Sequence, residues 1–163
     1  MSNNPNIRFR FEVQPEDTAT IEEIVRSTGF FYDHEIPVAC ELAEERLLKG
    51  IESGYFFVFA EIEGRVVSYS CYGPTPCTAG TYDLYWIVTH HDFRGKGAGI
   101  QVLHETIRQV KLLNGRLLVA ETSTKDQYQP TRQFYEKNGF TCEATVADFY
   151  APGDGKAIFV IRL

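Results

Sequence analysis

The chain has 163 residues, of which 44% are hydrophobic and 23% are charged, and its formal net charge is −6. These values are typical of one globular domain over residues 1–163, and the acidic balance argues against nonspecific nucleic-acid binding. Because no apolar run approaches the roughly 20 residues of a membrane span and the polar N-terminus lacks a signal-peptide core, we expect a cytoplasmic protein without membrane or nucleic-acid partners.

The first half of the chain predicts three strands and two helices. Pro15 and the acids after it suit the first turn of a helix, and Glu63-Gly64 is a short turn signal between two strands. The second helix would place Leu42, Leu47 and Leu48 on its inner face. The predicted elements are a strand over 7–13, helices over about 15–27 and 37–50, and a hairpin of strands over 55–61 and 65–72.

The second half predicts strands that alternate with helices. A loop rich in proline and glycine covers residues 73–80, and Asn114-Gly115 is typical of a helix end. The predicted elements are a strand over 82–89, a helix to about 113, a strand over 116–121, a helix over about 131–138, and strands over 141–150 and 156–163. The order β-α-α-β-β-β-α-β-α-β-β implies a mixed sheet with helices on its faces.

The four cysteines lack the spacing of a metal site. They are Cys40, Cys71, Cys77 and Cys142, with no Cys-x-x-Cys pair among them. We interpret them as reduced thiols and expect no metal, because disulfides are rare in the cytoplasm; a Cys71–Cys77 disulfide is the alternative.

The segment Arg94–Gly99, with sequence RGKGAG, is the most informative part of the chain. It lies between the predicted strand over 82–89 and a helix whose apolar residues Ile100, Leu103, Ile107 and Val110 recur every three or four positions. The first N–H groups of a helix have no partner within it, and the helix dipole places partial positive charge there. Glycines let the backbone approach a phosphate closely. This arrangement therefore predicts an anion site.

Basic side chains are also concentrated in and after this segment. Residues 94–116 carry five basic side chains and one acid, Glu105, although the whole chain is acidic. A small phosphorylated ligand suits this distribution better than a long polyanion does. A solvated helix face explains Arg108 and Lys111 equally well, but explains Arg94 and Lys96 less well.

Spacing excludes two common phosphate motifs. A dinucleotide fingerprint would need glycine at Ile100 or Val102, and no stretch fits a Walker A loop. The pattern Arg/Gln-x-x-Gly-x-Gly/Ala does fit, at Arg94, Gly97 and Gly99. On this loop the chain resembles the GCN5-related N-acetyltransferase (GNAT) superfamily. The strands over 87–89 and 117–123 and the helix over 131–140 are also similar to that family.

The resemblance implies the fold class and the donor. The fold would be α/β (α+β), a mixed and mostly antiparallel seven-stranded sheet with helices on both faces and splayed central parallel strands. The donor would be acetyl-CoA. Its pantetheine arm would follow the main chain of Ile87, Val88 and Thr89 as an added strand, and its pyrophosphate would bind around Arg94, Gly95, Lys96, Gly97, Ala98, Gly99 and Ile100.

One family feature does not carry over residue by residue. The family often has an asparagine before the helix that corresponds to residues 131–140. This chain has a longer loop there, over 126–131. Tyr128 or Thr131 would substitute for it in contacting coenzyme A.

Amine attack on a thioester requires three events, for which the resemblance suggests residues. The amine must lose a proton, the carbonyl must be polarised, and the thiolate must be stabilised. Tyr135 matches the family tyrosine near the sulfur and is the predicted general acid; the alternative is a tyrosine packed in the core beside Phe134. Glu121, at the end of a buried strand, is the predicted base; the alternatives are an ion pair with a neighbour or ordered water as the base. A backbone N–H near Val88 would polarise the carbonyl.

The acceptor is predicted less sharply than the donor. Aromatic residues beside carboxylates suit a primary amine with an apolar part, and the candidate acceptor residues are Tyr32, Asp33, Asp83, Asp148 and Tyr150. The resulting hypothesis is acetyl-CoA-dependent N-acetyl transfer to a small molecule or peptide. Two alternatives stay open: a noncatalytic acyl-CoA-binding module with the same fold, and a nucleotide-binding module unrelated to coenzyme A. Pairing of two copies as a homodimer through a sheet edge is a further hypothesis.

Overall fold

A computed structural model describes residues 6–163, with the predicted order of strands and helices. The polar residues 1–5, on which the expectation about a signal peptide rests, lie outside the described residues. The strands are β1 (Arg8–Arg10), β2 (Phe56–Ile62), β3 (Arg65–Pro74), β4 (Thr81–Thr89), β5 (Leu117–Ser123), β6 (Thr141–Ala151) and β7 (Asp154–Arg162). The α-helices are α1 (Asp17–Ser27), α2 (Ile36–Lys49), α3 (Ala98–Leu112) and α4 (Gln129–Lys137), and short 3-10 turns cover Gly50–Ser53, His91–Phe93 and Asp126–Tyr128.

The seven strands form a mixed sheet in the order β1-β2-β3-β4-β5-β7-β6. The pairs β1–β2, β2–β3, β5–β7 and β6–β7 are antiparallel, whereas β4 and β5 run in parallel. The β4–β5 register covers only Thr81–Leu84 against Leu117–Ala120, and both strands continue beyond the last registered pair. This confirms the predicted mixed, mostly antiparallel sheet.

The chain groups into two compact units. One comprises the described residues up to Gly73 together with Trp86–Arg108, and the other comprises Pro74–Tyr85 and Gln109–Leu163. Strand β4 contributes its first five residues to the second unit and its last four to the first. Whether residues 1–163 behave as one domain stays a prediction. None of the helices described in residues 6–163 is long and apolar enough to cross a membrane.

The core of the first unit lies where α1 and α2 cover β2 and β3. Helix α2 turns Ile36, Ala39, Cys40 and Ala43 inward. The prediction of an inner face made of Leu42, Leu47 and Leu48 was wrong for two of its three members, because Leu47 is 41% exposed and Leu48 is 78% exposed. Small residues on the inward stripe let the helix approach the large aromatic side chains of β2 and β3, chiefly Phe57, Phe59 and Tyr69.

Strand β1 is shorter than predicted because an ion network ends it. The Arg10 guanidinium donates to both carboxylate oxygens of Asp17 at 2.7 and 2.8 Å and to Glu61 at 2.7 Å, and lies 4.5 Å from the Phe59 ring centroid. Asp17 is almost fully buried and begins α1, so the chain turns there instead of extending to Val13. These side chains also border a cleft of about 310 Å³. Because their charges are paired with one another, we assign them a structural role.

Helix α3 buries Leu103 and Val110 of the stripe that its spacing predicts, but not Ile100. Ile100 is 44% exposed, whereas Val102, Leu103, Thr106 and Val110 are fully buried. The helix begins at Ala98, which is buried, and the inward stripe continues at Val102 and Leu103, so Ile100 lies on the outward side of the first turn. Ile100 thereby leaves the apolar stripe and belongs to the helix N-terminus.

In the second unit, β5 and β7 are the central strands and α4 packs beside them. The buried face of this part of the sheet includes Leu118, Ala120, Ala157 and Phe159. Strand β6 pairs with β7 and is exposed along its whole length.

Candidate active site

The first unit contains a tight turn whose N–H groups are available to an anion. Gly95 and Gly97 have φ values of 71° and 86°, a left-handed conformation that residues with a Cβ adopt at a cost. Helix α3 follows immediately. Its first helical hydrogen bond runs from the Gln101 N–H to the Gly97 carbonyl at 3.1 Å. The N–H groups of Ala98, Gly99 and Ile100 precede that bond and point out of the helix end.

Gly99 lets α3 begin close to the end of β4. A Cβ built on Gly99 would lie 3.0 Å from the Thr89 hydroxyl oxygen. A larger residue would therefore push the helix end away from the strand. The glycine pattern of the loop has two physical reasons: positive φ at Gly95 and Gly97, and close packing at Gly99.

The basic side chains of the turn are held by local contacts. The Arg94 guanidinium lies 4.7 Å from the ring centroid of Phe30, and burial lowers its pKa from the ordinary value; the group remains cationic. Lys96 donates to the Asp92 carbonyl at 2.8 Å. Both positive charges are therefore kept beside the turn.

Side chains of β3 and of the turn brace the end of β4. The Ser68 hydroxyl donates to the Val88 carbonyl at 3.0 Å and lies 2.8 Å from the Thr89 hydroxyl, and the His90 N–H donates to the Val67 carbonyl at 2.8 Å. His90 is buried, and its Nδ1 accepts the Asp92 N–H at 3.2 Å. His90 is therefore not a solvated loop side chain, because its ring caps the 3-10 turn.

In the second unit, strand register places several predicted residues on one sheet face. Asp83 is registered with Val119, and Glu121 lies two residues further along β5. Because side chains alternate between faces, Asp83, Tyr85, Val119 and Glu121 share a face. Together with Leu84 and Tyr150 they line a cleft of about 300 Å³, which we call the β4–β5 cleft.

Glu121 forms an ion pair inside this unit. Its Oε2 lies 2.6 Å from Lys156 Nζ, and the side chains of Glu121 and Lys156 are 44% and 13% exposed. Glu121 is registered with Ile158, so Lys156, two residues away on β7, lies diagonally across the same face. Lys156 Nζ also lies 3.7 Å from the Phe149 ring centroid. Sequence reasoning missed Lys156, because its closeness to Glu121 depends on the register.

Tyr135 packs against the opposite face of the sheet. Its ring lies 5.6 Å from Phe159 and 5.2 Å from Phe140, and Phe159 is registered with Ala120, one position before Glu121. Burial raises the pKa of the Tyr135 phenol above its ordinary value. The predicted acid therefore lies within an aromatic cluster, and the two candidate catalytic side chains lie on opposite faces of β5 and β7.

The carboxylates predicted to bind the acceptor have different surroundings. Asp83 accepts a hydrogen bond from the Thr75 hydroxyl at 2.7 Å and lines the β4–β5 cleft. Asp148 has a φ of 53°, and its Oδ1 accepts the Gly153 N–H at 2.7 Å, which ties the β6–β7 turn. In the first unit, the Asp33 side chain is 97% exposed and Tyr32 stacks on His34 at 5.6 Å. The acceptor-binding roles of these residues stay predictions.

The loop that replaces the family asparagine is well anchored. Arg132 donates to the carbonyls of Ser123 and Lys125 at 2.8 and 2.9 Å. Tyr128 ends the 3-10 turn, Thr131 lies in the first turn of α4, and both are half-buried. The structure therefore presents both in an ordered segment. Over residues 6–163, no group of three or more His, Cys, Asp or Glu side chains could hold a metal ion.

A family model described as an acetyltransferase (GNAT) domain matches residues 52–142. The chain belongs to the GNAT family. A GNAT-family protein from Desulfovibrio desulfuricans has a crystal structure similar to this GNAT chain, with 46% identity and a TM-score of 0.94 over 96% of this chain and 98% of that one. Among curated protein sequences, none matches this chain.

More distant structures share the GNAT fold. An N-acetyltransferase from Staphylococcus aureus Mu50 is 19% identical, with a TM-score of 0.76 over 96% of this chain and 98% of that one. A Salmonella typhimurium protein, solved with acetyl-CoA, is 20% identical, with a TM-score of 0.74 over 97% and 94%.

Proposed function

We propose that the chain transfers an acetyl group from acetyl-CoA to a primary amine by direct attack of the amine on the thioester. The observation that carries this proposal is the turn Arg94–Gly99, where glycines with positive φ lead into a helix whose first N–H groups point outward. Membership of the GNAT family and the acetyl-CoA in the Salmonella structure support the choice of donor.

The donor contacts follow from the backbone of the first unit. The N–H groups of residues 95–100 bind the pyrophosphate, and the helix dipole adds to their attraction for it. Residues 87–89 lie past the last registered pair of β4 and β5, and their main chain binds the pantetheine arm. Arg94 and Lys96 supply positive charge beside the phosphates. Tyr128 and Thr131 are further proposed contacts of coenzyme A.

Tyr135 stabilises the departing sulfur. Because burial raises the pKa of its phenol, the residue is protonated at neutral pH and can donate a hydrogen bond. An ordinary thiol has a pKa of about 8.5, below that of this phenol, so proton transfer to the thiolate is unfavourable by itself. The transfer is therefore completed only when the Tyr135 phenolate takes up a proton from water, which restores the acid.

Glu121 receives the proton of the acceptor amine, directly or through a water molecule. Its Oε2 is occupied by Lys156 at 2.6 Å, which leaves Oε1 to accept the proton. The ion pair also holds the carboxylate on the wall of the β4–β5 cleft. Ordered water alone is the alternative base, and a Glu121→Gln variant that retains wild-type kcat would favour it.

Two measurements on the full chain test the proposal. Isothermal titration calorimetry should show binding of acetyl-CoA and of CoA, but no competition by ATP. A single-turnover assay that detects free thiol should then show CoA release when primary amines are added. Binding without CoA release for any amine would indicate the noncatalytic module instead. Absence of binding at millimolar CoA would reject the donor assignment altogether.

A further inference from the structure

The two carboxylates of the β4–β5 cleft differ in how their charge is balanced. Asp83 accepts a hydrogen bond from the neutral Thr75 hydroxyl, and no Lys, Arg or His of residues 6–163 lies within 4.0 Å of its carboxylate. Glu121, in contrast, is paired with Lys156 at 2.6 Å. The cleft therefore keeps one negative charge that the described residues do not neutralise, and this charge is on Asp83.

The contacts of Lys156 keep its ammonium group beside the Glu121 carboxylate. Its side chain is only 13% exposed, and its ammonium lies 3.7 Å from the Phe149 ring centroid and 5.9 Å from that of Tyr150. A carboxylate together with an aromatic ring is a favourable environment for a cation. An incoming ammonium would have to displace Lys156 to pair with Glu121, whereas Asp83 is open to one.

We propose that the acceptor carries a second cationic group, which Asp83 binds, besides the amine that is acetylated; this inference rests on the proposed function. An amine must be neutral to attack a thioester, whereas an ion pair with a carboxylate favours the ammonium form. The nitrogen that pairs with Asp83 is therefore not the nucleophile. The nucleophile lies toward Glu121, whose charge is already balanced and which can accept its proton.

The walls of the cleft fit the chain that joins the two nitrogens. Val119 and the rings of Tyr85 and Tyr150 supply apolar surface for methylene groups, and a tyrosine ring also attracts a cation. A volume of about 300 Å³ is at the small end of ligand clefts. The acceptor, or the part of it that binds here, is thus a small basic diamine, either a free molecule or the basic portion of a larger one.

The test compares acceptors of equal length that differ only in the second group. We would measure kcat/KM for 1,4-diaminobutane, n-butylamine and 4-aminobutyrate, and the dissociation constant of each from the complex of the protein with CoA. We expect kcat/KM to be about tenfold higher for the diamine than for n-butylamine, a difference of about 1.4 kcal/mol, and to be lowest for 4-aminobutyrate. Parallel assays with spermidine and with a lysine-containing peptide distinguish a free diamine from a basic portion of a larger molecule.

Variants separate this inference from a general loss of activity. Asp83→Asn should lower kcat/KM for the diamine about tenfold but not for n-butylamine, because nonproductive binding of the monoamine at Asp83 does not affect that ratio. Glu136→Gln, which removes one exposed negative charge on α4, should change neither value. Lys156→Gln should tighten n-butylamine binding, because it leaves the charge of Glu121 unbalanced.

Equal kcat/KM for the diamine and the monoamine, no detectable diamine binding, or an equal effect of Asp83→Asn on kcat/KM for both would overturn the inference. Each of these results leaves the proposed function standing wherever acetyl-CoA binds and any amine releases CoA. Failure of acetyl-CoA binding would instead reject the proposed function.

Discussion

Individual residues of the candidate site combine a packing role with a chemical one. The Tyr135 ring belongs to an aromatic cluster with Phe140 and Phe159, and burial raises the pKa of its phenol. Packing and hydrogen-bond donation can be separated, because phenylalanine keeps the ring and removes the hydroxyl. Tyr69 offers a matched comparison: it is fully buried, and its hydroxyl has no hydrogen-bond partner within residues 6–163.

We expect Tyr135→Phe to lower kcat by about 10²- to 10⁴-fold, the range for a general acid or base, while the dissociation constant of CoA changes little. Tyr69→Phe should leave kcat unchanged and leave the melting temperature equal or higher, because a buried hydroxyl without a partner costs about 1–3 kcal/mol. Steady-state kinetics and calorimetric titration with CoA measure both variants. A Tyr135→Phe enzyme with wild-type kcat would exclude Tyr135 as the acid.

At the scale of elements, the turn between β4 and α3 determines what can bind in the first unit. Its geometry depends on backbone conformation more than on side chains, because Gly95 has a φ of 71° and a Cβ there would meet nothing within 4 Å. Gly153 in the β6–β7 turn is a matched control in the second unit, with a φ of 80° and equally open surroundings.

Gly95→Ala and Gly153→Ala should each lower the free energy of unfolding by about 1–2 kcal/mol, the cost of the left-handed conformation for a residue with a Cβ. Only Gly95→Ala should also weaken CoA binding, because only that turn belongs to the proposed pyrophosphate site. Urea unfolding and calorimetric titration report the two effects. Equal loss of CoA affinity in both variants would contradict the assignment of the turn.

For the molecule as a whole, buried acidic groups couple stability to pH. Burial raises the pKa of the Cys71 thiol and of the Tyr69 and Tyr135 phenols. In the unfolded chain a thiol loses its proton near pH 8.5 and a phenol near pH 10, both approximate values, while the folded protein keeps these protons. The unfolded state then binds fewer protons, so stability falls as pH rises above about 8.5.

Melting temperature under reducing conditions should therefore be constant around neutral pH and fall progressively from about pH 8.5 to pH 10.5. Cys71→Ala should be less stable at pH 7, because Cys71 is fully buried, but should lose less stability between pH 8 and pH 10 than the wild type does. The exposed Cys77 provides the control, since Cys77→Ser should leave the slope unchanged. An identical slope in all three proteins would reject this explanation.

Local patterns in the sequence predicted the strands, helices and turns, because each of these patterns depends only on residues that are close together in the chain. Alternation identified the strands, and the glycines between β4 and α3 identified the turn, since positive φ is a property of single residues. Errors arose where a distant partner intervened: Asp17 and Glu61 end β1 at Arg10, and the aromatic side chains of β2 and β3 select the small residues of α2 instead of Leu47 and Leu48.

The sequence by itself determined the order of strands and helices, the glycine turn and the family, because the patterns that indicate them lie within short stretches of the chain. Only the tertiary structure showed that Lys156 forms an ion pair with Glu121, whereas Asp83 accepts a hydrogen bond from a neutral hydroxyl. It also showed that Tyr135 packs on the opposite face of the sheet. The reason is strand register: a shift of one residue would turn each of these side chains to the other face, and register is set by pairing between segments far apart in the chain.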